Sequence, residues 1–108
     1  MVMSLEEVRD WLFEISRRFE ALGVATKTHT CEVQTGQDPC VACDLECADG
    51  GELFVSIWSI GRYEVYLVNP NVERDRQLAF ETGGSDSAKD LIEALSPWVE
   101  RFQCLIGP

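Results

Sequence analysis

Between Cys40 and Asn69 the chain reads CVACDLECADGGELFVSIWSIGRYEVYLVN, three strand-like runs divided by two glycine-bearing turns. No other stretch limits the fold as strongly. Val41, Cys43, Leu45 and Cys47 alternate with Ala42, Asp44 and Glu46, which sends one set to each face of a strand. The next run, Leu53 to Ser59, is apolar on both sides, so turn length decides its pairing. A two-residue loop at Asp49-Gly50 would set Asp44 and Glu46 beside Val55 and Leu53. A three-residue loop, Asp49-Gly50-Gly51, sorts the faces and predicts Val41, Cys43, Leu45 and Cys47 beside Ser59, Ile57, Val55 and Leu53. A slip of one residue turns every side chain over, so the buried face selects the longer loop. The same reasoning at Ile60-Gly61-Arg62 predicts a second three-residue loop and brings Tyr63, Val65 and Leu67 to the inner face. The outer face then carries Asp44 and Glu46, then Phe54, Ser56 and Trp58, then Glu64, Tyr66 and Val68.

The flanks supply the covering layer. A helix is predicted from about Leu5 to Leu22, with Ser4 as N-cap and Glu7 completing a capping box. Val8, Trp11, Leu12, Ile15, Phe19 and Leu22 form its apolar stripe, and Gly23 ends it. A Thr-rich edge strand is expected over Ala25–Val33, followed by a loop at Gln34–Pro39. After Asn69-Pro70-Asn71 a further strand is expected over Arg76–Thr82, pairing Leu67 with Leu78 and turning Leu78 and Phe80 inward. Gly83 to Asp86 reads as a breaker loop. Ser87 caps a last helix whose stripe, Ala88, Leu91, Ile92, Leu95, Trp98, Val99 and Phe102, keeps phase across Pro97, so a kink is expected there. The fold class is α+β: a two-layer single domain over residues 1–108, helix, five antiparallel strands, helix, with both helices on one sheet face.

The chain of 108 residues carries a formal net charge of −10, which argues against nucleic acid and anionic membranes, since both want basic patches. No run approaches the roughly 18 apolar residues of a membrane span. The first residues, MVMSLEEVRDW, lack the basic and apolar regions of a signal peptide, so a cytoplasmic location is expected. In that compartment the five cysteines are expected as thiols.

Cys40-x-x-Cys43-x-x-x-Cys47 is the sharpest local motif. Zinc sites use C-x-x-C pairs on tight turns, whereas this pair lies on a strand, with no second pair and with the sole histidine, His29, distant in sequence. A redox pair wants a helix N-terminus to lower the thiol pKa, and the alternation denies one. Core thiols are the plainer reading, and no metal or cofactor is expected. Catalytic signatures such as G-x-S-x-G, a phosphate loop or H-E-x-x-H are absent from the sequence, and a non-enzymatic protein is expected. Aromatic side chains on a sheet face with no helix over it suit a protein partner. The candidate partner-binding residues are Phe54, Trp58 and Tyr66 as anchors, with Asp44, Glu46 and Glu64 as charge complements.

Several elements together resemble a known family. These are the first helix with Trp11 ending at Leu22-Gly23, the Asp44-Leu45 strand, the run Val55-Ser56-Ile57-Trp58-Ser59-Ile60-Gly61, a polar-tipped hairpin and a C-terminal amphipathic helix. The order resembles the TriTu-type immunity proteins of bacterial polymorphic toxin systems. The cysteine set is not a feature of that family. The resemblance implies an antidote without enzymatic activity that binds a cognate toxin domain in the producing cell and occludes its active site. The family's named toxins are ADP-ribosyltransferases acting on a translation factor. An acidic inhibitor suits a toxin with a basic cleft. Two other readings stay open: a secretion-effector chaperone, and a small zinc-binding or redox module using Cys40, Cys43 and Cys47.

Overall fold

Two apolar-striped helices and one half-buried sheet have a single economical packing, with both helices on the same sheet face, and the chain adopts it. The computed structural model describes residues 4–31 and 39–106, the side chains of 29–31 and 76 excepted. The elements run α1 (Glu6–Glu20), β1 (Ala25–Cys31), β2 (Cys40–Glu46), β3 (Glu52–Trp58), β4 (Arg62–Val68), a 3-10 turn at Arg74–Arg76, β5 (Leu78–Gly84) and α2 (Ala88–Ile106). The strands form one antiparallel sheet in the order β1-β2-β3-β4-β5. The expected loop at Gln34–Pro39 falls, save for Pro39, outside the described residues.

The core lies between the helices and the sheet. Val8, Leu12, Ile15 and Phe19 of α1 and Leu91, Leu95, Trp98, Val99 and Phe102 of α2 meet Val41, Cys43, Leu45, Leu53, Val55, Ile57, Tyr63, Val65 and Leu67. Phe19 and Phe102 pack edge to face at 5.2 Å and join the two helices. A polar contact on the α1 side enters this layer: Cys43 Sγ lies 3.2 Å from Ser16 Oγ, which is 2.6 Å from Thr28 Oγ1. It ties α1, β1 and β2 together, and burial pushes the Cys43 thiol up despite the two hydroxyls.

The helix ends follow the sequence in part. Val24 N–H donates to Phe19 O and Gly23 N–H to Glu20 O, with Gly23 at φ +87°, the bonding pattern of a Schellman turn. Leu22, expected in the apolar stripe, is carried past the last helical turn and is exposed. The capping box does not form. Ser4 Oγ accepts the Glu6 N–H at 3.3 Å, and Leu5 occupies the cap position with no side-chain bond. At α2 the expected cap is present, Ser87 Oγ accepting from Asp90 N–H at 3.2 Å. This helix continues through Pro97, and Ser96 Oγ donates to Ile92 O at 2.7 Å in the turn before it.

Both central hairpins have three-residue loops, but each loop sits one residue earlier than expected. The first is Ala48-Asp49-Gly50, closed by Cys47 N–H to Gly51 O at 2.7 Å and Gly50 N–H to Cys47 O at 3.1 Å. The second is Ser59-Ile60-Gly61, with Gly61 N–H to Trp58 O at 2.9 Å. In each the last loop residue is the glycine with positive φ, +98° at Gly50 and +90° at Gly61, where a type I turn runs into a left-handed residue. The register therefore moves by two residues: Val41 opposes Ile57, Leu45 opposes Leu53, and Leu53 opposes Leu67. An even shift preserves the faces, so the inner and outer sets stay as expected.

At β5 the register differs from expectation by an odd number, and the faces exchange. Val68, not Leu67, opposes Leu78, and Tyr66 opposes Phe80. Leu78 and Phe80 thus point outward, 63% and 59% exposed. The bonds Asn69 N–H to Gln77 O and Ser85 N–H to Gly61 O hold both ends of this ladder. At Gly83 the inner face has no room for a side chain. Tyr63 lies over Gly83, where a Cβ would come within 2.7 Å of its hydroxyl oxygen. The strand consequently takes in Gly83 and Gly84, which sequence reading assigned to a loop.

Gly61 is doubly constrained, since a Cβ there would also overlap Ser85 O, while one at Gly50 would meet open space. Gly50→Ala is expected to cost ~1–2 kcal/mol from the left-handed conformation alone. Gly61→Ala should cost clearly more, measured by urea unfolding of the two variants side by side. Equal losses would contradict the close approach of the Ser59–Gly61 loop to Ser85.

Candidate functional site: the outer face of the sheet

The helix-free face is a grid set by strand register. One row runs across all five strands as Lys27, Asp44, Phe54, Tyr66 and Phe80. The next row is Ala25, Glu46, Glu52, Val68 and Leu78. On the other side lie Ala42, Ser56, Glu64 and Thr82, then Cys40, Trp58 and, after the second loop, Arg62 opposite Gly84. His29 opposes Ala42 in the β1 ladder, and its side chain is outside the described part.

All six candidate partner-binding residues fall on this face, in two groups. Asp44, Glu46, Phe54 and Tyr66 form the first. Phe54 and Tyr66 stack at 5.2 Å with their planes 16° apart. Trp58 and Glu64 form the second, around Arg62. The guanidinium sits 5.6 Å from the Trp58 ring centre and donates to Glu64 Oε1 at 2.8 Å. Glu64 thus already has its countercharge. Between the groups the floor is made of Ala42 and Ser56, both small and buried.

Exposure is distributed differently from expectation. Phe54, Trp58 and Tyr66 are half-buried, shielded by one another and by Arg62, whereas Leu78 and Phe80 stand out. Sequence reading missed these two through the β5 register. It also missed Glu52, although its parity with Phe54 places it on this face.

Glu52 completes a compact acidic group: carboxylate oxygens of Asp44, Glu46 and Glu52 all lie within 4.8 Å of one another. Glu46 and Glu52 are directly opposed across β2 and β3. Among the described residues the ion pairs are Arg9–Asp10 and Arg62–Glu64, so no cation reaches this group, and Lys27, opposite Asp44, makes no ion pair with it. Asp44 Oδ1 is buried without a hydrogen-bond partner among the described residues. The proton affinities follow from this crowding. Burial raises the Glu52 carboxyl above the usual carboxylate range, helped by its hydrogen bond to Asp44. Tyr66 is pushed up to about 12, first by burial, then by its bond to Glu52 and by the surrounding carboxylates. Hard oxygen donors of this kind suit a divalent cation or the cationic end of a Lys or Arg.

Cys40 and Cys43 lie on opposite faces of β2. Cys43 faces the core and Cys40, three residues back on the same strand, faces outward opposite Trp58, so the C-x-x-C pair cannot converge on one ion. Cys47 is half-buried at the loop, and Cys104 is exposed on α2. Among the described residues the carboxylate trio is the one group of His, Cys, Asp and Glu close enough to share a metal. No described helix is long and apolar enough to cross a membrane.

No protein-family model, no curated protein and no solved structure matches the chain.

Like charges opposed across a ladder destabilise it by ~0.2–1 kcal/mol. Glu52→Gln is therefore expected to raise unfolding free energy at pH 7 by an amount in that range. The sign depends on pH. With its affinity raised by folding, Glu52 contributes stability that is present below its unfolded pKa and lost as pH rises through its folded one. The advantage of Gln should thus shrink on acidification and vanish below the ordinary carboxylate range. Urea unfolding of both proteins from pH 4 to 8 measures it, and a less stable variant at pH 7 would contradict mutual repulsion of the trio.

Proposed function

We propose that the chain is a toxin-neutralising immunity protein that acts by stoichiometric binding through the outer face of its sheet. The observation that carries this reading is the acidic trio beside the stacked Phe54–Tyr66 pair. Three carboxylates that no cation among the described residues pairs with, next to aromatic side chains that no described helix covers, cost the isolated fold stability. Such a departure from local optimality is expected at a functional site. A basic partner surface would neutralise the carboxylates and cover the rings at once. The partner that fits is a toxin domain with a basic active-site cleft, which this face would occlude. A net charge of −10 would speed encounter with such a cleft and make it salt-sensitive. The role needs no chemistry from this chain, in keeping with the binding character of the face. The resemblance in element order to TriTu-type immunity proteins supports the same reading.

The test is co-expression of the tagged chain with the protein encoded beside its gene. A tight complex with one partner per chain, and a neighbour toxic alone but harmless when paired, is the expected result. A neighbour that is harmless and unbound would remove it as the cognate toxin. Within the complex, Trp58→Ala should keep its fold and lose ~2 kcal/mol or more of binding free energy, measured by calorimetry. Unfolding of that variant would instead make Trp58 a structural residue. Neutralising the trio with Asn and Gln should weaken binding and flatten its salt dependence.

A further inference from the structure

Among the described residues no strand pairs with the outer edge of β5. Asn69–Gln77 and Gly61–Ser85 are bonded positions of the β4–β5 ladder, and bonded positions alternate along an antiparallel pair. Ala79, Glu81 and Gly83 therefore turn their amides and carbonyls to β4. Leu78, Phe80, Thr82 and Gly84 turn theirs to the open edge, where no described strand pairs with them. Natural sheets blunt such edges with Lys, Pro, bulges, inward-pointing charges or short strands, and of these β5 has the inward Glu81, whose carboxylate is already engaged by Tyr63 and Trp98. The opposite edge, β1, has Lys27 on its outer face. Strand β5 has seven residues, no Pro, no Lys and an unbroken register, and its outward side chains include Leu78 and Phe80, both more than half exposed.

We propose that this edge pairs with the same edge of a second copy, antiparallel about a two-fold axis at Phe80, joining two sheets into one. The inference goes beyond the partner reading and does not depend on it. The register follows from the residues. Only edge-facing positions can bond one another, so a two-fold at Phe80 opposes Phe80 to Phe80, Leu78 to Thr82, and Ala79 to Glu81. A two-fold at Ala79 would pair only residues 78 to 80 of each strand, and one at Glu81 would oppose two carboxylates. A two-fold at Thr82 would set Phe80 against Gly84 and leave both rings in water. Centring on Phe80 buries the two rings together and carries the row Phe54, Tyr66, Phe80 across the axis into its symmetric counterpart. Charge complementarity points the same way. Arg74 precedes β5 and Asp86 follows it, and the Phe80 axis brings the Arg74 end of each strand to the Asp86 end of the other. The net charge of −10 per copy opposes association, so added salt should strengthen it.

Sedimentation equilibrium of the purified chain tests this. The expected mass is twice 12.1 kDa, with dissociation on dilution shifted to lower concentration by added salt. Phe80→Lys, at an exposed position, should fold normally by circular dichroism and sediment as a monomer. Thr82→Pro removes an edge-facing amide, together with the hydroxyl that donates to Tyr63 O at 3.0 Å, and a folded variant should do the same. Hydrogen exchange gives a residue-level readout: the Phe80 and Thr82 amides should be protected in the wild type and exchange freely in Phe80→Lys. A wild type that stays monomeric into the millimolar range overturns the proposal, as does a folded Phe80→Lys that remains dimeric. Effector chaperones also act as dimers, so the mass alone leaves the functional readings where the toxicity test puts them.

Discussion

Two glycines set the parity of the sheet, and everything on both faces depends on it. Gly50 and Gly61 each end a three-residue loop in a backbone conformation that L side chains resist. An odd loop length joined to the period-two alternation of the strands leaves one arrangement in which Val41, Cys43, Leu45, Val55, Ile57, Val65 and Leu67 all face the helices. The acidic and aromatic residues are then forced together on the opposite face. The candidate site is in this sense a by-product of core burial, assembled by the same turns that build the core. What the core does not explain is why those outward positions hold carboxylates so close to one another.

The arrangement of that face bears on how it could bind. The carboxylate trio and the Phe54–Tyr66 stack lie at one end, and the Trp58–Arg62–Glu64 group lies at the other, with Ala42 and Ser56 between. A partner laid across the face would meet unscreened negative charge at one end and an internally neutral, aromatic surface at the other. The first suits long-range steering and the second short-range packing, two tasks that interfaces commonly assign to different residues.

Much of this was legible in the sequence. Element order, the α+β class, the helix stripes and the membership of both faces over β2, β3 and β4 followed from apolar period and loop parity. Exact register did not, because a shift of two residues leaves every side chain on its own face and alternation cannot detect it. The glycine position could have resolved it at Ile60-Gly61-Arg62, where ending the loop on Gly61 avoids forcing Arg62 into positive φ. At β5 the sequence misled for a physical reason. Leu78 and Phe80 are the apolar members of their strand, and burial was the natural expectation. The inner positions instead go to Ala79, Glu81 and Gly83, and at Gly83 the Tyr63 ring leaves no space for a side chain. Glu81 could not have been found from pattern alone. A carboxylate on the core side makes sense only once Tyr63 and Trp98 are seen to donate to its Oε2 at 3.1 and 3.0 Å.

That shared oxygen has a mechanical consequence. Strand β5 offers the core only Ala79, Glu81 and Gly83, so little apolar surface holds it down. Its attachment rests on the backbone ladder to β4 and on one side-chain clasp that reaches both the neighbouring strand and α2. Local stability in a protein follows buried contact, and segments with little of it open far more often than the molecule unfolds. By that rule β5 is expected to open more often than the molecule unfolds, with Glu81 as its side-chain fastening.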